Sequence, residues 1–408
     1  MHDNFFGMFI HWGLYAETGF HEQAFARLNM ERETYEGLAK RFCPQAYHPE
    51  EWVLLAQEAG MKYICFTAKH HDGFCLWDTA ETDFSVMHTP YGKDVLKELS
   101  DACRKYGMKL SLYYSCPDWH QPDAYNRLSS HQWKAETDNP DIPEYVALVK
   151  AQIKELLTGY GEIYSFFWDI PPHIEDPSVN ELVRTLQPGI LINDRGFSQG
   201  DFSTPERELT KSAPGNRFLQ RTEACNSVGE QSWGYRSSED FYSLRTLTHS
   251  IDRYMAMGGS YLLNIGPKAD GSIAPAYRDM IRKVGEWYRK TEGCLENHQK
   301  DPFPYELPDG VIAARKNGKT YFHFPDGLTS SAFSLRTFPG CPRLPRSVRL
   351  LNRNEELPFA YEPLPFGFHF DEPQKGCDSF LHIRGIPVDE LESEAVVLEV
   401  VWADGVTA

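Results

Sequence analysis

The 408-residue sequence has no run of 18 or more uninterrupted apolar residues, so we expect no membrane-spanning helix. Its opening, MHDNFFGMFIHWG, lacks the basic, apolar and cleavable regions of a secretion leader. Basic residues are in the minority, 41 against 58 acidic ones, and the net charge of -17 disfavours binding to nucleic acid or to an anionic membrane. A neutral partner is expected.

Cysteine occurs nine times but in no CxxC pair, and the number is odd. Cys65 lies inside the apolar segment YICFTAKH, where a buried free thiol is the usual state. The pattern favours a reducing compartment and predicts a cytoplasmic location. A chain of this size can bury a core without disulfides or metals.

A GxGxxG motif is missing after the first strand-like segment, which argues against a dinucleotide-binding, doubly wound sheet. Apolar segments alternate with amphipathic ones instead, as in parallel strands joined by right-handed crossovers. The predicted strands are FGMFIHWG (6–13), YICFTAKH (63–70), KLSLYYS (109–115), YSFFWD (164–169), ILIND (190–194), FLQRTEA (218–224) and SYLLNIG (260–266). The predicted helices are 49–60, 94–107, 143–161, 178–189, 237–259 and 274–293.

Seven strands and an assumed degenerate eighth predict an α/β fold, a (β/α)8-like TIM barrel over residues 1–298. A doubly wound sheet is the alternative. Residues 299–408 contain only short strand-like segments separated by Pro, Gly and Asp. They predict a C-terminal β-sandwich domain.

Polar residues stand where the predicted strands end, and in barrel enzymes those ends carry the chemistry. Histidines, aromatic rings and carboxylates would therefore meet at one rim. These residues are His11, His70, His71, Asp72, Tyr113, Trp168, Asp169 and Arg195. Aromatic faces and neutral hydrogen-bonding groups suit a sugar, which has apolar C–H patches and many hydroxyls.

Asp169 follows the apolar segment SFFW and is the candidate nucleophile for an anomeric carbon. Glycoside hydrolysis with retention needs a second carboxyl group as acid and base, about 5–5.5 Å away. Glu206, in GDFSTPERE, is the preferred partner, and Glu223, in QRTEAC, is the second choice. An N-cap or a salt-bridged rim carboxylate is the alternative interpretation of Asp169.

Other interpretations stay open from the residues alone. His11, His70, His71 and Asp72 are metal-ligand types, but no HxH or HExxH motif accompanies them, so we expect no metal and no cofactor. Arg195 either supports the nucleophile or pairs with its neighbour Asp194. The sequence leaves open whether copies of the chain form a homo-oligomer.

The motifs FGMFIHWG, TAKHHDGF, SLYYS, GDFSTPE, SWGY and LLNIGPKADG occur in the order found in family 29 of the glycoside hydrolases, the α-L-fucosidases. The sequence resembles that family over roughly residues 5 to 298. The resemblance implies a retaining exo-α-L-fucosidase that acts on fucosylated oligosaccharides or glycoconjugates. A related exo-glycosidase for another sugar, such as α-L-galactose, and a non-catalytic fucose-binding protein are the alternatives.

The resemblance also implies roles for individual residues. Asp169 corresponds to the family nucleophile, and Glu206 to the acid/base that some members carry. The positions that correspond to substrate-binding or supporting residues are His11, Glu22, His70, His71, Tyr113 and Arg195, to which we add Trp168 and Glu223.

The sequence departs from the family around the nucleophile. The family usually has Trp two places before it and often Gly after it, whereas Phe167 and Ile170 occupy these positions here. Pro171 and Pro172 follow and cannot donate backbone hydrogen bonds. Near the chain start, Gln23 stands where the neighbour of the family glutamate is usually Trp. We expect these departures to affect the choice of substrate rather than the type of reaction.

Overall fold

The computed structural model describes residues 5–124, 126, 131, 134, 141–172, 174–207, 217–296, 307–337, 345–363 and 379–403. The predicted domain boundary at 298/299 lies outside these residues, as do Cys341 and Cys377. The other seven cysteines are free thiols. Within the described part of the chain, no helix combines the length and the apolar character needed to span a membrane.

A curled parallel sheet of seven strands forms the centre of the N-terminal part. In space the strands follow the order β5-β4-β3-β2-β1-β7-β6, and each neighbouring pair is parallel. Their bounds are β1 Phe6–Ile10, β2 Tyr63–Lys69, β3 Lys109–Ser115, β4 Ser165–Asp169, β5 Leu191–Ile192, β6 Glu223–Ser227 and β7 Ser260–Ile265. This alternation confirms the predicted α/β pattern.

Helices connect these strands. They are α1 Ala24–Arg27, α2 Arg32–Glu36, α3 Pro49–Glu58, α4 Val95–Tyr106, α5 Ile142–Gly159, α6 Pro177–Leu186, α7 Leu244–Ala256 and α8 Pro275–Leu295, with 3-10 turns at Leu14–Thr18, Gly37–Lys40, Val86–His88 and Val388–Glu390. Helix α4 shows why the bounds fall where they do. The Asp94 side chain accepts the Lys97 N–H at its start, and Gly107 ends it with a φ of 67°.

The two edges of the sheet are connected through the segment 202–206. Isolated parallel bridges join Phe202 to Asn193 at the end of β5, and Ser203 and Glu206 to Thr222 and Cys225 at β6. A degenerate eighth strand was assumed from the sequence without a position, and these isolated bridges are the contacts that the segment makes between β5 and β6. Glu206, at the end of the segment, lines the same cavity as Asp169.

The sixth strand was predicted wrongly. The segment 218–224 has the stronger apolar signal, but the strand is Glu223–Ser227, whose last residues are polar. Pairing with β7 defines it, through contacts such as Cys225 with Leu262. Hydropathy cannot show such pairing. Glu223 therefore begins the strand instead of ending it.

Two antiparallel sheets make up the C-terminal part, in the orders β10-β14-β13 and β12-β11-β15-β9-β8. Phe322 of one sheet packs on Phe333 of the other with ring centroids 5.2 Å apart, so the sheets share a core, as in a sandwich. The strands are β8 Ile312–Lys316, β9 Lys319–His323, β10 Ala332–Thr337, β11 Pro345–Leu350, β12 Glu355–Glu356, β13 Phe359–Pro363, β14 Ser379–Arg384 and β15 Val397–Trp402.

The C-terminal sheets pack on the last helices of the N-terminal part. Trp287 of α8 donates its indole N–H to the Ala395 carbonyl at 2.9 Å. His323 of β9 and Asp252 of α7 are fully buried and lie 2.7 Å apart. These buried contacts join the C-terminal sheets to helices α7 and α8 of the N-terminal part.

Candidate active site

A cavity opens at the carboxyl ends of the parallel strands. Eight of the ten predicted site residues line it. The lining residues are Phe9, His11, Glu22, Gln23, His70, His71, Tyr113, His131, Phe167, Asp169, Ile170, Arg195, Glu206, Cys225 and Trp233. The structure thus brings together side chains from almost every strand of the sheet.

Asp169 lies at the base of the cavity with its side chain 13% exposed. Tyr113 donates its hydroxyl to Oδ2 at 2.7 Å, and Arg195 donates Nη1 to Oδ1 at 3.0 Å. Burial raises the pKa of Asp169, but the charge of Arg195 and these hydrogen bonds outweigh it and lower the pKa below its usual 3.8. The carboxylate is therefore ionised and oriented, as a nucleophile requires.

Glu206 is the second carboxylate of the cavity and lies nearer to solvent, 38% exposed. The same Arg195 Nη1 that contacts Asp169 donates to Glu206 Oε2 at 2.8 Å. Arg195 also donates Nη2 to the Thr204 carbonyl at 2.5 Å. Arg195 thus pairs with both predicted catalytic carboxylates, and the alternative pairing with its neighbour Asp194 is not the one formed.

His71 is neutral and faces the nucleophile. Its Nδ1 lies 2.7 Å from the Ser115 hydroxyl, which itself donates to the Pro117 carbonyl. Nδ1 must therefore carry the proton, which leaves the Nε2 lone pair 3.9 Å from Asp169. Burial lowers the pKa of His71 to about 3. An uncharged imidazole in this place accepts a hydrogen bond without competing for the charge of Asp169.

His11, directly after β1, has a similar arrangement. Its Nδ1 lies 2.7 Å from Asn264 Oδ1, while the Asn264 amide donates to Ser227 and to the Trp233 carbonyl. The amide oxygen is thus the acceptor, and His11 Nε2 is left as an acceptor toward the cavity. Asn264 lies in β7 and fixes the orientation of the His11 ring.

His70 stacks on the Tyr113 ring at 5.5 Å, with 8° between the planes. Burial and the neighbouring histidines hold its pKa well below the usual range, so it is neutral. Its buried Nδ1 has no hydrogen-bond partner within the described part of the chain. A buried polar atom of this kind is satisfied when a ligand hydroxyl enters.

Glu22 reaches the cavity from the loop after β1. Its Oε2 accepts the Ser232 hydroxyl and the N–H groups of Trp233 and Gly234, at 2.9, 2.9 and 3.2 Å. Burial raises the pKa of Glu22, but nearby imidazoles and the backbone donors outweigh it and lower the pKa. Glu22 is a fixed anion suited to accept sugar hydroxyls.

Trp168 does not line the cavity, which corrects the expectation that it contacts substrate. Its indole is fully buried on the outer side of β4 and donates to Asn180 of α6 at 3.0 Å. Side chains alternate along a strand, so Phe167 and Asp169 point inward and Trp168 points outward. Counting this alternation back from Asp169 would have predicted from the sequence that Trp168 points away from the cavity.

Glu223 is also corrected. It begins β6, at the end of the sheet opposite the cavity, and accepts the hydroxyl of Tyr63, the first residue of β2, at 2.6 Å. Burial raises the pKa of Glu223 to about 7. It does not line the cavity that contains Asp169, whereas Glu206 does.

Other lining residues were missed. Trp233, within the quoted SWGY motif, has its ring 5.2 Å from that of His11. His131 has its ring 5.1 Å from that of His71, and nothing in its sequence context indicates a site. Ile170 follows the nucleophile with a φ of 56°, a backbone conformation that a β-branched residue rarely adopts. Where the family often has Gly, the apolar side chain of Ile170 lines the cavity in this chain.

We predict that His11→Asn makes folding stability less dependent on pH. Burial lowers the pKa of His11 from 6.5 to about 4, so the unfolded chain binds the proton more readily. The contribution of neutral His11 is complete above pH 6.5 and is lost as pH falls to about 4. Wild type should lose about 3 kcal/mol more than the variant between pH 7 and pH 4, measured by urea unfolding. Equal losses would contradict the prediction.

Most glycosidases use a pair of carboxyl groups that flank the glycosidic bond, and the cavity contains two such groups, Asp169 and Glu206. Among the described residues, no group of three or more His, Cys, Asp or Glu side chains is arranged to hold a metal ion. Together with the surrounding neutral imidazoles and aromatic faces, the two carboxylates form a site of the kind that glycoside hydrolases have.

Comparison with known proteins defines the family. The alpha-L-fucosidase family profile matches residues 1–292. Tissue alpha-L-fucosidase of Rattus norvegicus is 28% identical over 405 residues, covering 88% of this chain and 82% of the rat protein. The structure of alpha-L-fucosidase isoenzyme 1 from Paenibacillus thiaminolyticus is 30% identical with a TM-score of 0.81, covering 98% of this chain and 97% of the other. The chain belongs to the alpha-L-fucosidase family.

A second structure has a similar fold at 24% identity and a TM-score of 0.78, covering 98% of this chain and 94% of its own. It is an alpha-L-fucosidase from Bacteroides thetaiotaomicron, trapped as a covalent intermediate in complex with 2-fluoro-fucosyl fluoride.

Proposed function

We propose that this chain is a retaining exo-α-L-fucosidase that releases terminal α-L-fucosyl residues from fucosylated oligosaccharides or glycoconjugates. The shared contact of Arg195 with both carboxylates carries the proposal. Because 3.0 Å and 2.8 Å separate the two oxygens from one nitrogen, those oxygens lie at most about 5.8 Å apart, below the spacing of inverting pairs. The covalent intermediate of the Bacteroides protein supports the same mechanism.

In the first step, Asp169 attacks the anomeric carbon and the glycosidic C–O bond breaks, while protonated Glu206 gives its proton to the leaving oxygen. In the second step, Glu206 takes a proton from water. The water oxygen then displaces Asp169 from the glycosyl ester. Two inversions give net retention, and Glu206 recovers its proton.

The sugar hydroxyls are bound by polar groups that line the cavity. The Nε2 atoms of His11 and His71 accept, His70 Nδ1 is unpartnered, and Glu22 is a fixed anion. These neutral and anionic acceptors match the hydroxyls of a neutral sugar. Ile170 and the aromatic rings provide apolar contact for its C–H patches.

We further infer that the parallel sheet is a (β/α)8-like TIM barrel in which the segment 202–206 takes the place of one strand, and that the C-terminal sheets form a β-sandwich. The bridges of this segment to β5 and β6 support the first inference, and the common core of the two sheets supports the second.

The proposal is tested by release of p-nitrophenol from p-nitrophenyl α-L-fucoside, with the β-D-galactoside as control and the α-L-galactoside as competitor. Proton NMR of the first product should show α-L-fucose before mutarotation. β-L-fucose as the first product would contradict retention. Preferred turnover of the galactoside would move the assignment to that sugar, and fucose binding without turnover would indicate a binding protein.

A further inference from the structure

The backbone turns sharply directly after Glu206. Arg207 has a φ of 51°, in the left-handed region, which is energetically unfavourable for a non-glycine residue. On either side of Glu206, the chain is tied to β6: the Cys225 N–H donates to the Pro205 carbonyl, and the Arg207 N–H donates to the Cys225 carbonyl, both at 3.0 Å. Such a conformation persists only where surrounding contacts impose it.

The Arg207 side chain supplies contacts that impose this turn. Its Nη1 donates to the Glu230 carbonyl at 2.9 Å and to the Gly229 carbonyl at 3.3 Å, both on the loop after β6. Its guanidinium carbon lies 4.6 Å from the centre of the Trp233 ring, a cation–π distance. The half-buried side chain thus connects the residue after Glu206 to a ring that lines the cavity.

Trp233 itself is fixed within the site. Its N–H donates to Glu22, its carbonyl accepts the Asn264 amide, and its ring lies 5.2 Å from that of His11. The position of Trp233 is therefore common to the sugar-holding residues. Because Arg207 contacts Trp233 and directly follows Glu206, it also links the position of Glu206 to these residues.

We propose that Arg207 is a positioning residue for the acid/base, an inference that rests on the proposed function. Arg207 stabilises the strained turn that orients the Glu206 carboxyl toward the leaving oxygen. It also fixes the position of that carboxyl relative to Trp233. Loss of its side chain lets the turn relax and moves the carboxyl. A displacement of about 1 Å is enough to lower proton donation strongly.

The test compares kcat/KM on two substrates that differ in their need for an acid. Phenyl α-L-fucoside has a poor leaving group and depends on protonation, whereas p-nitrophenyl α-L-fucoside depends on it much less. Arg207→Ala should lose about ten- to a hundredfold on the phenyl substrate and about threefold or less on the p-nitrophenyl substrate. Arg207→Lys, which keeps a cation near Trp233, should recover part of the loss.

The ratio of the two constants does not depend on the fraction of enzyme that is folded, so a purely structural effect cannot change it. Arg184→Ala serves as the control, because Arg184 is an exposed arginine paired with Asp201. Its ratio should equal that of wild type. An unchanged ratio in Arg207→Ala would overturn the inference while leaving the proposed function intact. A wild-type chain that hydrolyses neither fucoside would overturn both.

Discussion

Asp169→Gly is expected to lower kcat/KM for p-nitrophenyl α-L-fucoside by about 10³-fold or more, because the proposed mechanism forms its covalent intermediate on this carboxylate. Azide should restore turnover in this variant, since the small anion fits the space left by the carboxylate. It would attack from the face that Asp169 occupied and displace the leaving group once. The product should therefore be β-L-fucosyl azide, identified by NMR.

Asp83→Gly is the matched control for this variant. The Asp83 side chain is 98% exposed in a surface loop, so its loss removes a carboxylate without touching the cavity. Its activity should equal that of wild type. If Asp169→Gly kept even a tenth of wild-type activity, about 1.4 kcal/mol of barrier, another residue would have to be the nucleophile.

Glu206→Gln is expected to lower kcat/KM for phenyl α-L-fucoside by about 10²- to 10⁴-fold, the usual size of general acid–base catalysis. Glutamine still accepts from Arg195 but cannot give or take the proton. Azide should again accelerate turnover of activated substrates, now by attacking the glycosyl ester on Asp169. Two displacements then give α-L-fucosyl azide, the opposite anomer from that expected with Asp169→Gly.

Glu223→Gln is the comparison that decides between the two candidate glutamates. Because Glu223 contacts Tyr63 at the opposite end of the sheet, we expect its kcat/KM to stay within about threefold of wild type. A large loss in Glu223→Gln, with little change in Glu206→Gln, would exchange their roles. Thermal unfolding of each variant separates a loss of folding from a loss of chemistry.

Strand ends could be predicted because apolar strands that are buried on both faces stand out from the polar residues that follow them. Asp169, His11 and the His70-His71 pair were found in this way, since barrel strands deliver their last residues to one rim. Glu22, by contrast, came only from the family resemblance. Its position depends on the loop after β1, and composition contains no rule for such a loop.

The errors have a common cause. The short polar strand Glu223–Ser227 is defined by pairing with β7, and such pairing joins residues far apart in the chain. Trp168 was assigned to the cavity because it stands next to Asp169, although neighbours on a strand face opposite ways. His131 is 60 residues from His71 in the sequence, and only the folded structure brings the two rings to 5.1 Å.

The α/β pattern, the all-β C-terminal part, the family and the choice of Asp169 as the candidate nucleophile could be predicted from the sequence alone, because these depend on local periodicity and on residue types at strand ends. The structure was needed to show that Glu206 and not Glu223 lines the cavity with Asp169, which tautomers His11 and His71 adopt, and that Arg207 contacts Trp233 and the loop after β6. Those properties depend on distances between side chains from different strands. Such distances are set by strand pairing and packing, which no single segment of the chain encodes.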